Sequence, residues 1–139
     1  MELDIHAFNA QLNEYLKARF KYKSNVSRVC VLDDKIQAFK TKIDLYIRYK
    51  PNYKPYLKNT LVLARIGFVQ ARKGHGTDLL RYLTSVAEQF EIEHIAVAQV
   101  NSNSKSFCKA FGFEEVASDV WSVSVKKLKA RVLNEQALC

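Results

Sequence analysis

The chain has 139 residues, 48% of them apolar and 12% aromatic, which suits a single domain, residues 1–139, with its own core. Its longest apolar runs are too short to span a bilayer and its acidic start, Met1-Glu-Leu-Asp, does not read as a secretory leader, so a cytoplasmic protein with no membrane partner is expected. Lys and Arg number 22 against 14 Asp and Glu, a formal net charge of +8 that attracts anions, while the scattered Cys30, Cys108 and Cys139 and the isolated His6, His75 and His94 suggest neither a disulfide framework nor a metal site.

Apolar residues at steps of three and four, Ile5, Phe8, Leu12, Tyr15, Leu16 and Phe20, predict an amphipathic helix over residues 5–22, with Asp4 as its N-cap and Ser24-Asn25 as its end. Residues 26–32 read as a β-branched strand and Asp33-Asp34 as a turn. A second extended stretch follows, clearest over residues 43–49, where Ile43, Leu45, Ile47 and Tyr49 alternate with Asp44, Tyr46 and Arg48. Two prolines mark residues 51–56 as a loop carrying Tyr53 and Tyr56, which is either a wall of an acceptor site or a plain connection. Residues 61–69 are apolar on both faces, as in a central strand buried on both sides.

That strand runs into Ala71-Arg-Lys-Gly-His-Gly76 and then a helix opening at Thr77, whose inner stripe is Leu79, Leu80, Leu83, Val86, Ala87 and Phe90. A strand end, a glycine turn and a helix start aim backbone N–H groups and the positive end of a helix dipole at one point, so the ligand expected there carries phosphate. A second apolar strand over residues 95–100 precedes Asn101-Ser-Asn-Ser-Lys-Ser-Phe107-Cys108-Lys109-Ala-Phe111-Gly-Phe113, read as a short helix over residues 104–111. A last strand or two includes residues 120–125, and Lys126 opens a basic tail with helical character.

These two spaced motifs resemble those of the GNAT superfamily of acyl-CoA N-acyltransferases, whose cofactor loop reads Arg/Gln-x-x-Gly-x-Gly/Ala and whose later motif reads Asn-x-x-Ala-x-x-Phe-Tyr-x-Lys-x-Gly-Phe. The resemblance covers residues 60–127; before them only the order of elements agrees. It implies a mixed α/β fold, a mostly antiparallel central sheet flanked by helices. The beginning is abbreviated: a strand ahead of the first helix is either missing or reduced to Met1 to Asp4.

The resemblance further implies acetyl-CoA or another acyl-CoA as co-substrate, no metal, and direct acyl transfer to an amine. The acceptor would be a small molecule, a protein or an aminoacyl-tRNA, and the oligomeric state is open between monomer and homodimer. Amides from Arg72 through Lys73, Gly74, His75 and Gly76 to Thr77 would bind the pyrophosphate. The backbone of Ile66, Gly67 and Phe68 would pair with the pantetheine arm like an added strand. Asn101 would meet that arm from the next strand, and Phe107 and Lys109 would lie toward the adenosine end. The side chain of His75 is either a phosphate contact or, the favoured reading, a bystander facing solvent.

The sequence departs from the pattern where the chemistry is done. Ala71 replaces the first Arg/Gln, Ser104 replaces the usual Ala, and Cys108 stands where the family places the tyrosine that protonates the departing CoA thiolate. Cys108 is either that acid in thiol form or a packing residue; Tyr46, Tyr49, Tyr53 and Tyr56 are alternative acids. No Asp or Glu lies in residues 61–69 to serve as base, which leaves Asp44 or a water chain. These departures, with the basic surface, motivate an alternative: a GNAT-fold module without catalysis that binds nucleic acid or an acidic protein.

Overall fold

The computed structural model describes residues 2–30, 34–68, 74–98 and 102–138. Four helices, α1 (Glu2–Phe20), α2 (His75–Ala87), α3 (Ser102–Ala110) and α4 (Val125–Leu138), accompany seven strands, β1 (Arg28–Cys30), β2 (Lys35–Phe39), β3 (Ile43–Tyr49), β4 (Thr60–Phe68), β5 (His94–Val97), β6 (Glu114–Ala117) and β7 (Val120–Ser124). The strands form one sheet in the order β1-β2-β3-β4-β5-β7-β6, antiparallel except for β4 beside β5. This is the mixed, mostly antiparallel sheet expected from the sequence. At the start, α1 already includes Glu2, so residues 2–4 are helix and not a remnant strand.

Cross-strand register explains which face is buried. Ile36 pairs with Ile47, Ala38 with Leu45, Ile47 with Leu63, Leu61 with Ile95, and Val97 with Trp121, so these side chains share one face. Ile5, Phe8, Leu12 and Leu16 of α1, Leu79, Leu80 and Leu83 of α2, Cys108 of α3 and Leu128 of α4 join them in one core. The opposite face carries Lys35, Gln37, Tyr46 and Arg48 along β2 and β3, and Ser122 and Ser124 on β7.

Three boundaries differ from the sequence reading, each for a local reason. Asp4 does not cap α1. It lies inside the helix and accepts hydrogen bonds from Tyr49 Oη at 2.7 Å and Lys50 Nζ at 3.1 Å, tying the helix to the end of β3. The helix stops before Ser24-Asn25, because Lys21 turns left-handed (φ 60°) and the Tyr22 N–H reaches back to the Lys17 carbonyl at 3.0 Å. Val26 and Ser27 are not strand. Their N–H groups donate to Asn13 Oδ1 at 2.6 and 3.1 Å, and Asn13 Nδ2 donates to Asn25 Oδ1 at 2.9 Å, so α1 holds this loop before β1 begins.

The Asp4 contacts carry a pH signature. Burial by itself raises the carboxyl's pKa, but the bonds from Tyr49 and Lys50 outweigh it and hold the pKa below the usual carboxylate value. A depressed folded pKa stabilises above the unfolded value and loses that stabilisation as pH falls through the folded one. Acid unfolding of Asp4→Asn is therefore expected to show a shallower loss of stability below about pH 4 than the parent chain. Superimposable acid limbs in urea titrations would remove Asp4 from the account.

Candidate active site

The site is set by where β4 loses its partner. Tyr46 pairs with Arg65 and Ile47 with Leu63, so Ala64 is the extra residue of a bulge. The bulge resets the alternation: Arg65 faces out beside Tyr46, while Ile66 and Phe68 still pack against the core. Residues 60–64 are buried, as expected for a central strand, but Arg65 is exposed and Ile66, Gly67 and Phe68 are only partly covered. On the β5 side, pairing covers only residues 60–63, and the Ala98 N–H to Leu63 carbonyl bond at 3.1 Å is the last described rung. Beyond it, Ile66, Gly67 and Phe68 pair with Leu45, Asp44 and Ile43 on one edge, and no described strand pairs with the other. Among the described residues, the β5-facing backbone of Ile66 to Phe68 thus has no strand partner and lines one side of a candidate cleft.

The start of α2 stands at the open end of this cleft. The helix begins at His75, two residues before the expected Thr77, with Gly74 as an N-cap in the left-handed region (φ 76°) that glycine occupies without strain. No side chain caps it. The first intrahelical bond runs from the Asp78 N–H to the Gly74 carbonyl at 2.9 Å, so helix geometry aims the Gly76 and Thr77 N–H groups out of the helix end, with the positive pole of the dipole. A Cβ at Gly76 would come within 3.2 Å of the Phe107 ring, which brings α3 against the same helix start.

The end of α1 forms the remaining wall. The His75 ring does not face solvent: it packs against Phe20 (centroids 4.7 Å apart) and Phe68 (5.3 Å), and its Nδ1 accepts a hydrogen bond from Arg19 Nε at 3.1 Å. The expectation of a solvent-facing ring is thus corrected, because the ring braces α1 against β4. Asp78 in the first turn of α2 meets the Tyr15 hydroxyl, Arg19 Nη1 at 3.4 Å and Arg81 Nη1 at 3.3 Å. Two guanidinium groups against one carboxylate keep this corner positive, which suits an anion at the helix end.

Tyr15 stacks on Tyr82 (4.2 Å between centroids, 7° between planes), and the Tyr82 hydroxyl is buried without a described partner. Burial pushes Tyr82 up to about 12 and also raises Tyr15 and Tyr49, which are held further by Asp78 and Asp4 respectively. Groups with raised folded pKa values stabilise below the unfolded value near 10 and lose that contribution as pH rises toward the folded value. Tyr82→Phe is expected to change stability at pH 7 by less than about 1 kcal/mol, since it removes an unsatisfied hydroxyl, and to move alkaline unfolding to higher pH. An unchanged alkaline midpoint by circular dichroism would show that Tyr82 does not ionise in that transition.

The structure gathers Ile66, Gly67, Phe68, Gly74, His75, Gly76, Thr77 and Phe107 around the cleft, and Lys109 is exposed on α3. Arg72, Lys73 and Asn101, expected to bind cofactor, lie outside the described residues, as does Ala71. Cys108 is 1% exposed within the core, and burial pushes its thiol up to about 11. Tyr53 and Tyr56 sit in the connection from β3 to β4, at the end of β4 where Thr60 lies. Eight residues of strand, about 26 Å, separate that end from Phe68. There the two rings pack edge to face at 5.8 Å and Tyr53 Oη is 3.4 Å from Arg48 Nη1. An antiparallel strand pair dictates this placement, which sets both tyrosines at the opposite end of β4 from Phe68.

A cavity of about 990 Å³ opens at the same far end, lined by Asp4, Lys50, Tyr56, Lys58, Phe90 and Glu91. The carboxylates of Asp4 and Glu91 in its lining make it a poor phosphate site despite its size. Asp44, the proposed base, is held by Arg65 Nε at 2.8 Å beside the cleft wall, and Arg65 lies 5.4 Å from the centre of the Tyr46 ring. Among the described residues no group of His, Cys, Asp and Glu is arranged to hold a metal ion, and no helix is long and apolar enough to cross a membrane.

No protein-family profile and no curated protein matches the chain by sequence. Solved structures do. The KacTA–DNA complex contains a chain 13% identical that superposes with a TM-score of 0.52, over 90% of this chain and 86% of that one. A tyrosine-to-phenylalanine mutant of the AtaT toxin, bound to the C-terminus of the antitoxin AtaR and to acetyl-CoA, is 12% identical with a TM-score of 0.50, over 84% of this chain and 76% of that one. Together with the split sheet and the uncapped glycine turn, this likeness shows that the chain has the fold of the GNAT acetyltransferases.

Proposed function

We propose that the protein is a cytoplasmic, single-domain N-acyltransferase that moves an acyl group directly from acetyl-CoA to an amine. The observation that carries this reading is that the described pairing of β4 with β5 ends at Leu63, while the uncapped start of α2 packs through His75 against Phe68 at the far end of β4. Three features fit acetyl-CoA: backbone along Ile66 to Phe68 that no described strand pairs on the β5 side, for an amide-bearing arm, outward N–H groups at Gly76 and Thr77 for phosphate, and no Cβ at Gly74 or Gly76 to obstruct them. The AtaT structure holding acetyl-CoA on a similar fold supports the same ligand.

Bound acetyl-CoA would supply a thioester: the amine nitrogen bonds to the carbonyl carbon, the C–S bond breaks, and the proton the amine gives up balances the one the departing thiolate takes. The chain's part is placement: β4 orients the arm, α2 holds the phosphates, and strand amides at the cleft polarise the carbonyl. Residues 60–68 carry no carboxylate, and Asp44 is engaged by Arg65. Cys108 is enclosed in the core. An enzyme so furnished works best on an amine already part neutral near pH 7, as an α-amino group of pKa about 7.7–8.0 is.

Two measurements test this together. Acetyl-CoA, but not ATP, is expected to raise the thermal midpoint, and release of free thiol over a panel of amines is expected to favour α-amines, rising with pH up to about 8. Absence of any acetyl-CoA shift sinks the cofactor assignment and leaves the binding module. A shift without thiol release from any amine retains the ligand and removes the catalysis.

A further inference from the structure

The sheet face turned away from the core has a composition of its own. Register puts Arg28, Gln37, Tyr46 and Arg65 in one cross-strand row, Lys35 beside Arg48 in the next, and Phe39 beside Asp44 in the third. The sheet residues of the core point the other way. Tyr46 braces two of the cations, with Lys35 Nζ at 5.7 Å and the Arg65 guanidinium at 5.4 Å from its ring centre. Asp44 is the sole carboxylate in these rows.

At the edge of this face Phe39 is 71% exposed, the most exposed large apolar side chain among those described. A cavity of about 360 Å³ opens beside it, lined by Asn25, Ser27, Arg28, Gln37 and Lys40. Its wall is built, since the Asn13 side chain, 7% exposed, holds the backbone of Val26 and Ser27 and the side chain of Asn25. Ser27 is 5% exposed and its Oγ has no described partner.

We propose that this face binds single-stranded nucleic acid, with a base stacked on Phe39 and backbone phosphates meeting Arg28, Lys40 and the Tyr46-braced Lys35 and Arg65. An exposed ring beside amide, hydroxyl and cationic side chains matches a nucleobase and its phosphate. An acidic peptide satisfies the cations but leaves the ring in water. A duplex presents no free base face to stack. The site lies on the outer face of the sheet, and its occupancy does not require acyl-CoA.

The test is fluorescence anisotropy of a labelled oligothymidylate with the full chain at about 50 and 200 mM salt. Phe39→Ala is expected to weaken binding roughly 5- to 150-fold, and Phe39→Trp to retain it. Arg28→Ala with Lys40→Ala should flatten the log–log salt slope by about 1.4, since each phosphate contact on a single strand contributes about 0.7. Lys126→Ala with Lys129→Ala, exposed lysines on α4, should leave affinity within about twofold. Equal affinity of Phe39→Ala and the parent, an equal loss in the α4 variant, or polyglutamate competing as well as oligothymidylate would each overturn the proposal. So would a dimer, seen by sedimentation, that Phe39→Ala dissolves.

Discussion

Gly76→Leu should abolish the thermal stabilisation that acetyl-CoA confers while leaving the ligand-free protein folded. In the parent chain, ligand at about a hundred times its dissociation constant contributes about 2.7 kcal/mol, or roughly 10 °C for a domain of this size. The variant should shift by less than about 1 °C and lose at least about a hundredfold in any acyl transfer, because the new side chain stands among the outward N–H groups that phosphate needs. Its own stability should change little: leucine gains up to about 1 kcal/mol of helix propensity, and displacing the half-buried Phe107 ring, 3.2 Å from the new Cβ, opposes that gain. A variant that still shifts like the parent would place the phosphates elsewhere. Unfolding of the ligand-free variant would instead make Gly76 a packing residue, and Gly74→Asn, which tolerates a left-handed backbone, would then carry the test.

Asp78→Ala should produce the second large effect, a loss of about 2–3 kcal/mol, lowering the midpoint by roughly 6–12 °C. The carboxylate joins three side chains from two helices, the Tyr15 hydroxyl, Arg19 and Arg81, and its removal leaves two guanidinium groups facing each other over a half-buried stack of Tyr15 on Tyr82. Asp78→Asn retains an acceptor for Tyr15 without the charge and should fall between the two. Double-mutant cycles with Tyr15→Phe should give a coupling of at least about 1 kcal/mol. Additive losses would mean that the hub is a set of independent surface contacts.

Much of this arrangement could be read from the residues. The stripe of α2 and the alternation of β3 are local patterns, and each is found where the sequence places it, as is Gly74 at the head of α2. What escaped is long-range. The alternation of Leu61, Leu63 and Arg65 would drive an arginine into the core, and only the bulge at Ala64, visible in the pairing with β3, turns it outward. Asp4 looked like a helix cap because its partners, Tyr49 and Lys50, are 45 and 46 residues away. His75 looked solvent-exposed because Arg19 and Phe20, which enclose it, lie on another helix. The placement of Tyr53 and Tyr56 was legible in principle: in an antiparallel pair, the connection into β4 lies opposite the turn that leaves it.

Four parallel rungs, Thr60 to Leu63 against His94 to Val97, are the only described strand pairing that stitches the β1–β3 half of the sheet to the β5–β7 half. No described strand continues the seam along the rest of β4, and a ligand lying along Ile66 to Phe68 would extend the stitching. Without it the two halves are coupled mainly through the helices across their common face, and amide exchange should find them opening as separate units. With it they should open as one, so that occupancy of the cleft sets how cooperatively the whole chain unfolds.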